Sequence, residues 1–147
     1  MLISAKGKYA LALMMDLAEY NNGEPIKLKD VAERTGVSYS YLNHVSSMLE
    51  KNGLIVSYRG FNGGYRIRHT AKEYTVGMIL RIAEGEGLKM NTLINDEAEV
   101  CTSSDHITWL ICKQIKEAVN KTMEVITLQD LIEWHKEYEN KKRVITL

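Results

Sequence analysis

Ser38, Ser40, Asn43, His44 and Ser47 lie in one short stretch, interleaved with Tyr39 and Tyr41. All of these side chains hydrogen-bond and none carries a fixed charge, an unusual composition for a surface meant only to be wetted. A carboxamide offers a donor and an acceptor side by side, so Asn43 can pair bidentately with an adenine edge, and the His44 imidazole can meet a guanine edge. Hydroxyls such as those of Ser38, Ser40 and Ser47 suit bases or phosphate oxygens. The chemistry on offer is recognition, not bond making. No paired acid and base, nucleophile motif or complete metal constellation is present, so an enzyme is not expected.

Such a set works only if one element presents it on one side. Leu42, Val45, Met48 and Leu49 recur at three- and four-residue spacing, which predicts a helix whose apolar stripe lies opposite the polar set. Ser38 is a suitable N-cap and Gly53 a suitable terminator. Upstream, Leu28, Val31 and Ala32 form the inner face of a shorter helix that ends at Thr35-Gly36-Val37. Two short helices joined by a glycine-containing turn form a helix-turn-helix, and the second is expected to enter the DNA major groove. Downstream, Leu54 to Arg59 and Tyr65 to His69 are rich in β-formers and flank the turn Gly60-Phe61-Asn62-Gly63-Gly64. This hairpin reads as a wing. Arg59, Arg66 and Arg68 on or beside it, with Gly60, can reach phosphates or the minor groove. No Gly-x-Gly-x-x-Gly or Gly-Lys-Ser/Thr follows these glycines, so they mark a tight turn, not a phosphate cradle.

The remaining elements support that unit. Ser4 to Tyr20 is expected as the first helix, burying Tyr9, Leu11, Ala12, Met15, Leu17 and Ala18, and Asn21-Asn22-Gly23 stops it. Lys6, Lys8 and Tyr9 at its start can hold a backbone phosphate, although Lys6 and Lys8 are equally consistent with solvated lysines. Tyr39 and Tyr41 are consistent with DNA contact or with packing. Thr75 caps a helix from Val76 to Ala83, which Gly85 and Gly87 end. Leu88 to Ser103, with its acidic stretch from Asp96 to Glu99, has no clear period and reads as a loop. A long helix then runs from Ser104 or Asp105 to about Val125, with Ile107, Ile111, Ile115, Ala118 and Met123 as its stripe. That stripe needs a surface, and its copy in a second subunit supplies one, giving a homodimer. Thr127 to Asp130 starts a last helix carrying Leu131, Ile132, Trp134 and His135, and Asn140 to Leu147 is expected as a loose tail. The implied division is residues 1–84 for DNA binding, 85–104 for a sensor-type loop, 105–139 for dimerisation helices and 140–147 for the tail.

Composition fits this layout. The chain has 147 residues, a hydrophobic fraction of 45%, one proline and zero net charge. Its halves differ, however: residues 1–70 hold nine Lys/Arg against six Asp/Glu, and residues 71–147 hold ten against thirteen. The basic excess thus accompanies the helix-turn-helix. No apolar run approaches the ~20 residues that cross a bilayer, and the opening Met1-Leu2-Ile3-Ser4 lacks a signal-peptide core. A cytoplasmic protein without membrane association is expected. Cys101 and Cys112 are too few for a disulfide scaffold.

Several stretches together resemble one family. Ser4-Ala5-Lys6-Gly7-Lys8-Tyr9-Ala10, Val37 to Leu42, Lys51 to Gly60, Gly63-Gly64-Tyr65 and Ile126 to Leu131 are similar to the Rrf-two family of bacterial winged-helix regulators, of IscR, NsrR and CymR type. The order and spacing match over most of the chain. The resemblance implies a mainly α fold with a small β-hairpin wing. It also implies a homodimer that binds a palindromic DNA operator, most simply as a repressor of iron–sulfur, redox or cysteine-metabolism genes. An adaptor of the same fold that binds a metabolic enzyme is the alternative. Two features depart from the family. Many members carry Glu-Gln where this chain has Asn43-His44, and sensor members carry three closely spaced cysteines before the long helix. Here Cys101, His106 and Cys112 are the corresponding residues, a ligand set incomplete for a two-iron, two-sulfur cluster without a further donor. A thiol switch and incidental cysteines are the other readings. His69 and His135 read as structural or surface residues, and Trp109 and Trp134 as packing residues.

Overall fold

The computed structural model describes residues 3–85 and 103–146. Its elements follow in the order α1 (Ala5–Glu19), α2 (Leu28–Thr35), α3 (Tyr39–Lys51), β1 (Ile55–Tyr58), β2 (Gly64–Ile67), α4 (Val76–Glu84), α5 (Ser103–Val125) and α6 (Leu128–Thr146). A single 3-10 turn, Ala71–Glu73, precedes α4. The loop expected from Leu88 onward, including Cys101, falls outside the described residues up to position 102. No helix among the described residues is long and apolar enough to cross a membrane.

α1 is the central element and touches α2, α3, α4, α6 and β2. Its N-cap is Ser4, whose hydroxyl accepts from the Gly7 amide at 3.1 Å. The innermost residues are Ala10, Leu13, Met14 and Leu17. This corrects the expected face: of that set only Leu17 is fully buried, and Tyr9, Leu11, Met15 and Ala18 pack around the core half-buried. The cause is physical. A helix enclosed on most sides is apolar on most sides, so its periodicity does not single out one stripe.

α2 is pinned to α1 by Arg34, which donates from Nε and Nη2 to the two carboxylate oxygens of Asp16, each at 2.8 Å. The guanidinium also covers the Tyr20 ring, 4.1 Å from its centroid. The hydrogen bond to Asp16 raises the Arg34 pKa further above its usual range.

α3 buries Leu42, Val45 and Leu49 as expected, with Met48 half-buried beside them. At its end the Leu54 amide bonds back to the Leu49 carbonyl at 3.0 Å and the Gly53 amide to Glu50 at 2.9 Å. This pairing of bonds places Gly53 in the left-handed region, φ +77°, which a side chain would disfavour. The strands pair antiparallel from Ile55 opposite Ile67 to Tyr58 opposite Gly64. Two bonds between Ile26 and Tyr65, 2.9 and 2.8 Å, tie the hairpin to the chain entering α2. Gly64 is required there, because a Cβ would lie 2.4 Å from the Ile26 carbonyl oxygen.

Tyr74 closes the core under the hairpin. Its hydroxyl donates to the Leu54 carbonyl at 2.8 Å and accepts from the His69 amide at 2.9 Å. Burial pushes this phenol up from its usual pKa. Tyr74→Phe would keep the ring but leave the His69 amide without its acceptor, while the Leu54 carbonyl keeps the Arg68 amide at 3.1 Å, so we expect a loss of about 1–3 kcal/mol in denaturant unfolding. An unchanged midpoint would show that water replaces the hydroxyl.

Among the described residues, α5 packs on the rest of the chain near its C-terminal end, where Met123 meets Val76 and Leu80 and half-buried Val119, Ile126 and Leu131. Met123 is therefore not part of the outward stripe. On a straight helix it lies roughly 160° around from Ile107, and the two face opposite ways. α6 begins as expected: the Asp130 carboxylate accepts from the Thr127 amide and hydroxyl, both at 2.8 Å, and the Asp130 amide returns to the Thr127 hydroxyl at 3.2 Å. Its far end differs from expectation, since the helix continues to Thr146 in place of a tail from Asn140. Lys141, Lys142 and Arg143 favour this, as cations near a C-terminus complement the helix dipole.

Candidate nucleic-acid interface

The α3 N-cap forms as its sequence requires, with the Ser38 hydroxyl accepting from the Tyr41 amide at 3.3 Å. Tyr39, Ser40, Asn43, His44 and Ser47 are then all exposed on the side opposite the buried stripe. Ser47 donates to the Asn43 carbonyl at 3.0 Å, so its oxygen lone pairs remain for a donor from outside. The neighbouring Ser46 is fully buried and bonds to the same carbonyl at 2.9 Å, taking no part in this face.

The two tyrosines divide. Tyr39 is 58% exposed, whereas Tyr41 is half-buried with its ring edge-on to Tyr9, centroids 4.8 Å apart. Tyr9 in turn lies under the Lys8 ammonium, 5.6 Å from the ring centroid. Tyr9 and Tyr41 thus join the start of α1 to the start of α3, with exposed Lys8 beside them, whereas half-buried Lys6 projects about 200° around the helix from Lys8. The hairpin arginines also divide. Arg59 and Arg68 are exposed, and Gly60 follows Arg59 at φ +103°. Arg66 is half-buried over the Tyr58 ring at 6.0 Å, and its Nε is buried without a hydrogen-bond partner.

Between α3 and the hairpin turn runs an open groove bordered by Lys27, Lys29, Tyr39, Asn43, Phe61 and Gly63. Reading the sequence alone missed Lys27, Lys29 and Phe61. A signal for Phe61 was available: it is the chain's one phenylalanine, placed in a turn of glycines and an asparagine where no core can reach it.

The expected dimerisation residues are placed unevenly. Ile107, Ile111 and Ile115 are 62%, 58% and 48% exposed, Ala118 is exposed beside them, and Met123 turns inward. Of the expected metal or redox set, His106 is exposed and stacked on Trp109, centroids 6.2 Å apart, and Cys112 is a half-buried free thiol. Six residues along a helix turn about 240°, so these two donors diverge. No three His, Cys, Asp or Glu converge among the described residues. The described donors therefore do not fit an iron–sulfur cluster, and Cys101 lies outside them.

Comparison with known proteins decides what this arrangement is. The family model Rrf2, described as an iron-dependent transcriptional regulator, matches residues 3–134. The chain belongs to the Rrf2 family. Among Rrf2 relatives, the HTH-type transcriptional regulator IscR of Pectobacterium atrosepticum is 33% identical over 133 residues, 90% of this chain and 79% of the relative. The solved structure of T. potens IscR superposes with a TM-score of 0.72 at 32% identity, covering 94% of this chain and 90% of that one. Staphylococcus aureus CymR gives 0.69 at 34% identity, covering 88% and 97%. Like other Rrf2 proteins, this chain is a winged-helix, DNA-binding transcription regulator and not an enzyme.

Proposed function

We propose that the protein is a homodimeric, cytoplasmic bacterial repressor that reads a palindromic operator through α3 and clamps it with the hairpin. One observation carries this reading: an exposed, uncharged, hydrogen-bonding helix face stands beside a hairpin bearing an exposed arginine, with Leu42, Val45 and Leu49 fixing α3 from behind. Asn43 and His44 read base edges. Ser38, Ser40, Ser47 and Tyr39 contact bases or phosphates, and Lys6, Tyr9, Tyr41, Arg59, Gly60 and Arg66 set the backbone. The exposed isoleucines of α5 supply the two-fold contact, placing two α3 helices about one DNA turn, roughly 34 Å, apart. The similarity to IscR and to CymR, the global cysteine regulator of B. subtilis, supports iron–sulfur, redox or cysteine-metabolism genes as the regulon.

Two substitutions test the groove assignment. Asn43→Ala is expected to relax base preference at one position of each half-site, at a cost of ~1–3 kcal/mol. Arg59→Ala is expected to weaken binding to every sequence and to flatten the dependence of affinity on salt. Both are read by selecting duplexes from a random pool and titrating them at several salt concentrations. If both variants selected and bound DNA as the parent does, the assignment of α3 and the hairpin to the grooves would fall.

A further inference from the structure

We infer that Lys27 and Phe61 form a clamp on the sugar–phosphate strand that separates the two DNA grooves, Lys27 holding a phosphate and Phe61 packing on deoxyribose at the minor-groove edge. The inference rests on the placement of α3 in the major groove proposed above. With α3 there and the hairpin reaching the next groove, one backbone strand must cross between them. The open cleft between α3 and the hairpin tip offers space for it, and Lys27 and Lys29 line that cleft. Glu33 also borders it, so two ammonium groups face one carboxylate, the balance a polyanion requires.

Phe61 is 91% exposed, the highest value among the large apolar side chains described. A ring this exposed at a turn gains little from the fold beyond the Lys27 cation over it. The Lys27 ammonium sits 5.2 Å from its centroid, covering one face and leaving the other open. The mounting is firm: the Gly63 amide closes the turn on the Gly60 carbonyl at 3.0 Å, and the Ile26–Tyr65 bonds join the hairpin to the residue before Lys27. Lys27 and the hairpin tip are thus held in one frame, so a phosphate on the lysine places the adjoining sugar against the open ring face. Apolar side chains aimed at a minor groove are known to wedge at a base step, and a ring held at the groove edge offers the same apolar face to a sugar.

The test uses the full chain and a duplex enriched by the parent protein from a random pool. Phe61→Ala is expected to bind that duplex about tenfold more weakly with the same base preference, and Phe61→Trp to restore most of the affinity. Lys27→Gln is expected to weaken binding and to make the log–log salt slope shallower by about one. Hydroxyl-radical footprints of the Phe61→Ala complex should lose protection at sugars flanking each half-site. Binding by Phe61→Ala within twofold of the parent, with an unchanged footprint, would overturn the clamp. So would an affinity loss explained by monomer formation or by a lowered melting temperature. If the parent enriched no duplex at all, the groove reading beneath the clamp would fail with it.

Discussion

Ile111→Glu is expected to separate the protein into monomers and to lower its affinity for a two-half-site duplex by roughly 10²–10⁴-fold. The size follows from linkage. In a dimer the second half-site is met at the effective concentration set by the first contact, and a monomer loses that gain entirely. The position is chosen for its surroundings. Ile111 is 58% exposed between Ile107 and Ile115 on the part of α5 that the described chain leaves uncovered. A carboxylate there disturbs no internal packing but would be buried without a partner in a two-fold contact, repelling its own copy. The melting temperature of the monomeric form should therefore change little, whereas sedimentation should halve the mass and titration should show the loss. A parent protein that sediments as a monomer at micromolar concentration would end this reading. A dimeric variant with parental affinity would place the subunit contact elsewhere.

The α5 stripe also shows where a sequence can be read and where it cannot. Local periodicity found α3 and its two faces because Leu42, Val45, Met48 and Leu49 sit on a helix with one wet side. The same device failed on α1, where neighbours on most sides leave no contrast between faces. It overran on α5, because a stripe followed by eye drifts around a helix of 23 residues until Met123 is counted on the wrong side. At the α6 end, Lys141, Lys142 and Arg143 have the composition of a tail, yet they also suit a helix C-terminus, and charge alone does not separate the two. The cleft at the hairpin tip was not legible for a different reason. Lys27 and Phe61 meet only because the Ile26–Tyr65 bonds bring distant segments together, and no window along the chain contains both. Asp16 and Arg34 are a second such pair, and a polar residue at position 16 reads as solvent-facing until its partner is known.

That pair carries the second large effect. Arg34→Ala is expected to destabilise the fold by about 3 kcal/mol, because the Asp16 carboxylate, 5% exposed, would be left buried without its counter-charge. In a chain of this size such a loss lowers the melting temperature by roughly 10 °C. Arg34→Lys should recover only part of it, since an ammonium can neither donate in the two-pronged geometry nor stack on Tyr20 as the guanidinium does. The double variant Asp16→Leu/Arg34→Met removes both charges and keeps the volume, so it should melt near the parent. Thermal unfolding of all four proteins therefore separates a pair anchored on a buried carboxylate, in which one charge without the other is worse than neither, from a surface bridge, in which every variant falls within about 1 kcal/mol of the parent. The functional corollary is that the double variant, once folded, retains DNA affinity. The pair sets the angle of α2 against α1, and apolar contact across the same gap can hold α2 and the α3 behind it in place.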